Sequence, residues 1–370
     1  MALRVCFFGA GGVGGWLATR LVASGSAQVQ IIARGAHGAA IRDRGLRLRI
    51  RQEQISDNIS GAATAGALVE LAPGAVEVYT DVAEAKAKNM QPADFVILCV
   101  KSWQVEAAAA EAVKLLAPGG CLVTTQNGVQ APIEAAKAAG HDRVLAGICK
   151  VLAFVAEPGL IEMEASPARF HFGEAFAQDG SELRSGSAAN GHDGRAERLA
   201  AAFAGCAGVT AGVVPEPGAW AAIWEKANLM CCLGPVGALC RAPMEQLVGI
   251  PETRQLLKDA MAEVAACSAA AGHRDPAVPP AEFAEGLLLA LDKSCKPGTT
   301  TSTTRDVLTG RPSELYELTG GIRHAGRSLG VPTPTHDLIF AALLPQERRA
   351  RGESAYTLMG VPGGSPHVQG

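Results

Sequence analysis

Apolar residues open the chain as a short run, Leu3–Phe8. The run passes directly into Gly9-Ala10-Gly11-Gly12-Val13-Gly14-Gly15, after which Trp16, Leu17, Leu21 and Val22 recur at helical spacing. Strand, glycine turn, helix is the order of a dinucleotide-binding fingerprint. Residues 28–33 predict a second strand, which ends at Arg34, and residues 46–50 and Glu77–Tyr79 predict two more on either side of a stretch of polar or small residues. Residues 95–100 are continuously apolar, as a strand buried on both faces should be, and residues 121–125 and 144–149 repeat the signal. Residues 106–116 predict an Ala-rich helix stopped by Pro118-Gly119-Gly120. Residues 175–195 are polar and small, and predict an exposed insertion or flexible loop.

Past Pro215-Glu216-Pro217 the periodicity changes. Residues 221–233, 252–271, 280–291 and 314–329 predict helices, with almost no strand signal among them. The expected fold class is α/β: an N-terminal Rossmann-type dinucleotide-binding domain over residues 1–217, then an all-helical C-terminal domain over 218–345 for substrate binding and dimerisation. Residues 346–370, with their Pro-Gly-Gly-Ser-Pro stretch, are expected to be a flexible tail.

Bulk composition narrows the function classes. A length of 370 residues suits about two domains, and 48% hydrophobic with 19% charged residues is that of a globular protein with ample core. The formal net charge is −3, with no basic run interleaved with aromatics, which argues against nucleic acid as a partner; Arg348, Arg349 and Arg351 suit a solvated helix end or tail. Ten cysteines occur, none spaced as a CxxC pair or as a zinc-ligand set, so no metal is expected and a reducing compartment fits. Cys6, Cys99 and Cys121 fall in strand-like runs, and Cys231-Cys232 in a helical one, where thiols act as small hydrophobes. The first apolar run is too short for a signal-peptide core and no run reaches a membrane span, so the expected localisation is cytoplasmic.

The candidate chemistry begins at the glycine loop. Gly9 would let the chain turn off the strand, Gly11 would let backbone approach a pyrophosphate, and Gly14 would let the helix pack close to the sheet, with Gly12 and Val13 opening that helix. Its N-terminus offers free N–H groups to phosphate. At the end of the second strand an acidic residue would select NAD; the residue here is Arg34, which favours the 2′-phosphate of NADP. Lys101 and Asn127 follow the strand-like runs 95–100 and 121–125, at the carboxyl ends where open α/β sheets bind ligands.

Taken in order, the glycine loop, Ala33-Arg34, Val100-Lys101-Ser102-Trp103-Gln104, Gln126-Asn127-Gly128, Trp224-Glu225-Lys226 and Ser302-Thr303-Thr304-Arg305-Asp306 followed by Glu314 resemble the ketopantoate reductase (2-dehydropantoate 2-reductase) family, over residues 3–344. The resemblance implies NADPH (NADP) as cofactor, bound with Arg34 on its 2′-phosphate and with Lys101 and Asn127 beside nicotinamide and substrate. It also implies Lys226 as general acid to the forming alkoxide, Ser302 on the substrate's carboxylate or hydroxyl, Glu314 completing the site, a place in pantothenate synthesis, and a homodimer. Elementary chemistry agrees on Lys226, because hydride arriving at a ketone builds negative charge on oxygen and needs a cation or proton donor there.

The chain departs from the family pattern where asparagines follow the catalytic lysine at four and eight residues; here those positions are Met230 and Gly234, and a third falls near Met244. Asn228, two residues from Lys226, points to nearly the opposite helix face. Fewer amides for a small polar substrate predict a more apolar or larger 2-oxo acid, or a related carbonyl compound. Two other functions stay open at this point: a beta-hydroxyacid-type dehydrogenase working in the oxidative direction, and a non-catalytic NADP-binding regulator. Of the six consecutive hydroxyls from Thr299 to Thr304, most are expected to cap or shape a loop, and His273, His324 and His336 to be structural or exposed.

Overall fold

A computed structural model describes residues 2–51, 67–164, 168–177, 179–184, 194–215 and 217–354. It divides into two compact units, Met1–Ile223 and Trp224–Gly370.

The first unit is built on strands β1 (Leu3–Phe8), β2 (Ala27–Ile32), β3 (Leu46–Arg51), β4 (Leu68–Leu71), β5 (Glu77–Tyr79), β6 (Ala93–Leu98), β7 (Leu116–Val123), β8 (Val144–Lys150), β9 (Ala153–Glu157), β10 (Leu160–Glu164), β11 (Arg169–Glu174) and β12 (Thr210–Val213). Its helices are α1 (Gly12–Ser24), α2 (Gly35–Arg44), α3 (Val82–Ala87), α4 (Val105–Ala112), α5 (Ala131–Ala139) and α6 (Arg195–Phe203). Eight strands form one sheet in the order β12-β11-β8-β7-β6-β1-β2-β5, parallel except where β11 runs against β8. The chain leaves β1 for β2 on one side and later returns to β6 on the other, so the reversal of strand order that marks a ligand crevice lies at the carboxyl end of β1. Phe95, Val96, Ile97 and Leu98 are all fully buried, which accounts for the unbroken apolar run.

A second sheet, ordered β4-β3-β10-β9, is absent from the sequence expectations. In β3 the alternation is two-sided: Leu46, Leu48 and Ile50 face the core, while Arg47 and Arg49 pair outward with Glu157 and Glu162. This sheet lies against the start of α1. A Cβ added at Gly12 would sit 2.1 Å from Ala153 O, and one at Gly15 would sit 2.6 Å from Ile161. The glycine surplus of the loop thus has a packing cause that periodicity along the chain does not reveal.

Several expectations are corrected here. Pro118-Gly119-Gly120 does not stop a helix; α4 ends at Ala112 with one further turn to Leu115, and the three residues lie inside β7. Pairing jumps from Ala93↔Leu116 to Phe95↔Cys121, so residues 117–120 bulge opposite a single residue, with Gly119 at φ +75°. Residues 175–195 are not wholly an exposed loop. Ala175 and Phe176 are buried, Trp220 Nε1 donates to Ala175 O at 2.6 Å, and Arg195 opens α6 in a half-shielded ion pair with Glu174. Positions 178 and 185–193 of that stretch lie outside the described residues.

From Trp224 onward the described residues carry helices and no strand: α7 (Ala219–Cys240, entered from the first unit), α8 (Met244–Gly249), α9 (Pro251–Ala270), α10 (Pro280–Ser294), α11 (Ser302–Leu308), α12 (Thr319–Leu329) and α13 (Pro334–Ala350). The α7 helix does not end at residue 233 but runs through Pro235, because every residue from Cys231 to Ala238 is buried and packing carries the helix past the missing N–H. Glu314 does not begin a helix; residues 314–318 form a turn before α12. Nor does a tail begin at 346. Residues 346–350 are the last turn of α13, where Glu347 is buried and ion-paired to Arg351, so Arg351 is no solvated tail residue either. Positions 355–370 lie outside the described residues. His336 is fully buried and its Nδ1 lies 2.7 Å from Glu263, which also accepts from the first N–H groups of α13; His273 is buried and His324 exposed. Among the described residues all ten cysteines are free, no group of metal-ligating side chains gathers, and no helix is long and apolar enough to cross a membrane.

Candidate active site

The glycine turn follows β1 directly. Gly9 has φ +103°, a backbone conformation L side chains resist, and its N–H donates to Ile32 O at 2.9 Å, tying the ends of β1 and β2. A Cβ on Gly14 would fall 2.1 Å from Gly9 O and 2.9 Å from Cys99 Cβ, so α1 can approach the sheet only with glycine there. Gly11, the N-cap of α1, differs from Gly9, Gly12, Gly14 and Gly15: a Cβ added to it would meet no atom within 4 Å. Its bareness is not required by the protein's own packing. It leaves backbone accessible at a helix N-terminus, which is what a pyrophosphate needs, and the loop therefore fits a dinucleotide.

Arg34 caps α2 in extended conformation and is exposed, immediately past β2. One turn on, His37 has a role that sequence reasoning missed. The Gly159 N–H donates to its Nδ1 at 3.0 Å, so its Nε2–H donates to Ala10 O at 2.8 Å. His37 thus braces the glycine loop against the β9–β10 turn. Burial lowers its pKa from the usual 6.5, with the bond to Ala10 opposing, and the neutral tautomer is the one these contacts use.

At the carboxyl ends of β6 and β7 lie Lys101 and Asn127, the first exposed and the second half-buried. Gln126 joins the two segments: its Nε2 donates to Leu98 O (2.8 Å) and Val100 O (3.0 Å), while Thr125 Oγ1 donates to Leu98 O at 2.8 Å. Gln126, which the sequence reading gives no role, spaces two strand ends. The Lys101 ammonium sits 5.6 Å from the centroid of the Trp103 ring.

In the second unit Lys226 is 9% exposed and Glu314 6%, unusual burial for charged side chains. Both act on one thiol. Cys231, fully buried on α7, is pushed up to about 12 by burial first and the Glu314 carboxylate second, with the Lys226 ammonium opposing. Lysine and carboxylate, 88 positions apart by number (314 − 226), therefore share one electrostatic neighbourhood.

Ser302 is the first residue of α11. Its neighbours are committed elsewhere: Thr301 Oγ1 caps the helix by accepting from Thr304 N, Thr304 Oγ1 donates to Gly234 O at 3.1 Å, and Thr300 accepts from Arg305. The Ser302 hydroxyl takes part in none of these bonds.

The positions without asparagine acquire a physical reason. A Cβ at Gly234 would lie 3.0 Å from both Thr301 Oγ1 and Thr303 Cβ, so α7 packs closely here against the threonine turn and any side chain would press on it. Asn228 is buried and faces α9: with its amide oriented to satisfy both ends, it donates to Met261 O at 3.1 Å and accepts from Ala265 N at 3.3 Å. It is a packing residue. Met230 and Met244 are half-buried, and the Met244 N–H donates to Thr299 O at 2.9 Å.

Comparison with known proteins adds to this geometry. Residues 5–176 match the family described as "Ketopantoate reductase PanE/ApbA", and residues 219–347 match "Ketopantoate reductase PanE/ApbA C terminal". A curated relative, the 2-dehydropantoate 2-reductase of Mesorhizobium japonicum, is 26% identical over 92% of this chain and 96% of its own. Among solved structures, a PanE/ApbA family ketopantoate reductase from Ralstonia eutropha JMP134 superposes with TM-score 0.73 at 24% identity, over 94% of this chain and 100% of that one. D-mandelate dehydrogenase, solved with NADH and anilino(oxo)acetate, superposes with TM-score 0.74 at 16% identity, over 94% and 99%, a likeness of fold.

Proposed function

The chain belongs to the ketopantoate reductase family of oxidoreductases acting on a CH–OH or C=O group, and from that premise we propose that it is an NADPH-dependent reductase of a 2-oxo acid or related carbonyl compound more apolar or larger than ketopantoate. The observation that carries the reading is the burial of Lys226 and of Glu314, whose charges both act on Cys231 of α7. The bound nicotinamide supplies a hydride to the carbonyl carbon. As the C=O π electrons move onto oxygen, the Lys226 ammonium stabilises the charge and gives up a proton, leaving a hydroxyl. Glu314, itself buried, supplies a compensating negative charge in the same neighbourhood, and Ser302 offers a hydroxyl to the substrate's carboxylate. Gly9, Gly11, Gly12, Val13 and Gly14 hold the pyrophosphate, Arg34 the 2′-phosphate, and Lys101 with Asn127 the nicotinamide and substrate.

The shift in substrate is supported by what replaces the amides. Gly234 carries no amide and is packed closely against Thr301 and Thr303, Asn228 is spent on α9, and Met230 is a thioether. A site with fewer donors loses its discrimination in favour of a small polyhydroxylated acid and gains apolar contact.

The test is NADPH oxidation with ketopantoate beside phenylpyruvate and branched apolar 2-oxo acids, NADH in parallel, and Lys226→Ala as control. A bulky acid is expected to give the highest kcat/KM. Lys226→Ala should lower kcat by about 10²–10⁴-fold, with NADPH still bound. Ketopantoate as the best substrate would overturn the substrate reading; an active Lys226→Ala would overturn the mechanism.

A further inference from the structure

We propose that the last turn of α13 positions the segment carrying Ser302 and Glu314, with Glu347 as its central residue. This rests on the reading of Glu314 given above.

Three polar atoms of Ser313, the residue just before Glu314, are all taken by α13. Its N–H donates to the two Glu347 carboxylate oxygens at 3.1 and 3.0 Å, its Oγ donates to Glu347 Oε2 at 2.6 Å, and its carbonyl accepts from Arg351 Nη2 at 2.9 Å. Arg351 Nε donates back to Glu347 Oε1 at 2.6 Å, and the guanidinium stacks 5.1 Å from the Tyr316 ring centroid, on the other side of Glu314. One residue before Glu347, Gln346 Nε2 donates to Val307 O near the end of α11, the helix that Ser302 begins. Between those two anchors the connection is closed on itself: Arg311 N donates to Asp306 O at 2.8 Å, and the Arg311 guanidinium meets the Asp306 carboxylate at 3.2 Å.

A carboxylate only 2% exposed is costly unless it is paired and hydrogen-bonded, and Glu347 spends its capacity on one backbone position and one arginine. A merely packed helix end would need no such charge. Residues 314–318 form a turn rather than a helix, so no helical backbone bonds lead into Glu314 from the preceding side. The backbone entering it is held by Ser313, bound to Glu347 and Arg351. Glu347 and Arg351 are positioning residues, acting through Glu314.

The test is a double-mutant cycle of Glu347→Gln with Glu314→Gln in the full chain, read with phenylpyruvate and ketopantoate and with melting temperatures recorded. Glu347→Gln keeps the side-chain length and loses the charge. It is expected to lower kcat by about 10–100-fold, the scale of a misplaced catalytic group, with KM for NADPH unchanged. In the Glu314→Gln background it should cost almost nothing more, and Arg351→Lys should show a smaller loss with the same coupling. The same factor of loss in both backgrounds, or a folded Glu347→Gln with normal kcat, would overturn the proposal. If Glu347→Gln fails to fold, Arg351→Lys and Ser313→Ala carry the cycle. A fully active Glu314→Gln would instead remove the reading of Glu314, and this inference with it.

Discussion

Gly234 is where the proposed change of substrate meets the packing of the helix. It stands where the family pattern has an amide, and its neighbours Thr301 and Thr303 come within 3.0 Å of where its Cβ would be. The change is therefore not a simple deletion of a hydrogen-bonding group but part of a repacked contact, in which Thr304 Oγ1 donates to Gly234 O. Restoring the asparagine should not restore the activity. Gly234→Asn is expected to be destabilised by about 1–3 kcal/mol, as overpacking of a filled site is, in urea unfolding, with no gain in ketopantoate turnover. A stable Gly234→Asn that turns over ketopantoate would refute the packing account. Lys226 belongs to the same scale: the acid role proposed for it rests on its burial and on a charge that acts, like that of Glu314, on Cys231, a placement no neighbour in sequence supplies.

Among the elements, the one with the most consequence is the brace that joins α2, the glycine loop and the β9–β10 turn through His37. Two backbone groups meet one imidazole, and the contacts need it neutral, because Nδ1 must accept from Gly159 N. Burial depresses its folded pKa below 6.5, so the folded chain binds fewer protons than the unfolded one in the window just beneath that value. The brace contributes fully above pH 6.5 and is lost as pH falls through the folded value. Wild type should accordingly exceed His37→Gln in stability at pH 7.5, and the difference should shrink toward pH 5, in thermal or urea unfolding at matched ionic strength. A difference that grows on acidification would show that His37 is held protonated. Glu263 on α9 works in the same sense at lower pH: burial pushes its pKa up, but the bonds from His336 and Thr335 outweigh it and leave the carboxyl below its usual 4.5, so the cap on α13 contributes fully above that value and is lost as pH falls through the folded one.

For the whole molecule, cofactor binding should register as folding stability. A ligand that binds only the folded state at 100 times its Kd adds about 2.7 kcal/mol. NADPH is expected to raise the melting temperature of the unit ending at Ile223 more than NADH does at equal concentration, since exposed Arg34 is available to a 2′-phosphate. Arg34→Asp should invert the preference, as a carboxylate suits the ribose hydroxyl instead. Equal shifts from both cofactors would assign Arg34 to the surface. With a formal net charge of −3, the chain as a whole repels an anionic cofactor slightly, so the proposed binding relies on the local field of the helix N-terminus and of Arg34.

Local pattern determined a good deal here. The strand–glycine–helix opening, the buried strands of the large sheet and the helical half were legible because each rests on near neighbours: a φ that only glycine tolerates at Gly9, an unbroken apolar run over β6, a helical period past residue 220. The sequence also places Arg34, Lys101 and Asn127 after strands, and the structure has them past the ends of β2, β6 and β7. What tertiary structure alone decided are the contacts between residues far apart in number. The second sheet filled the space over Gly12 and Gly15, the bulge absorbed Pro118-Gly119-Gly120 within a strand, and core packing carried α7 through Pro235. His37, Gln126 and Glu347 look like ordinary polar residues in sequence. Their roles come from hydrogen bonds to backbone 26 to 122 positions away, and such partners are set by the fold, not by any local propensity.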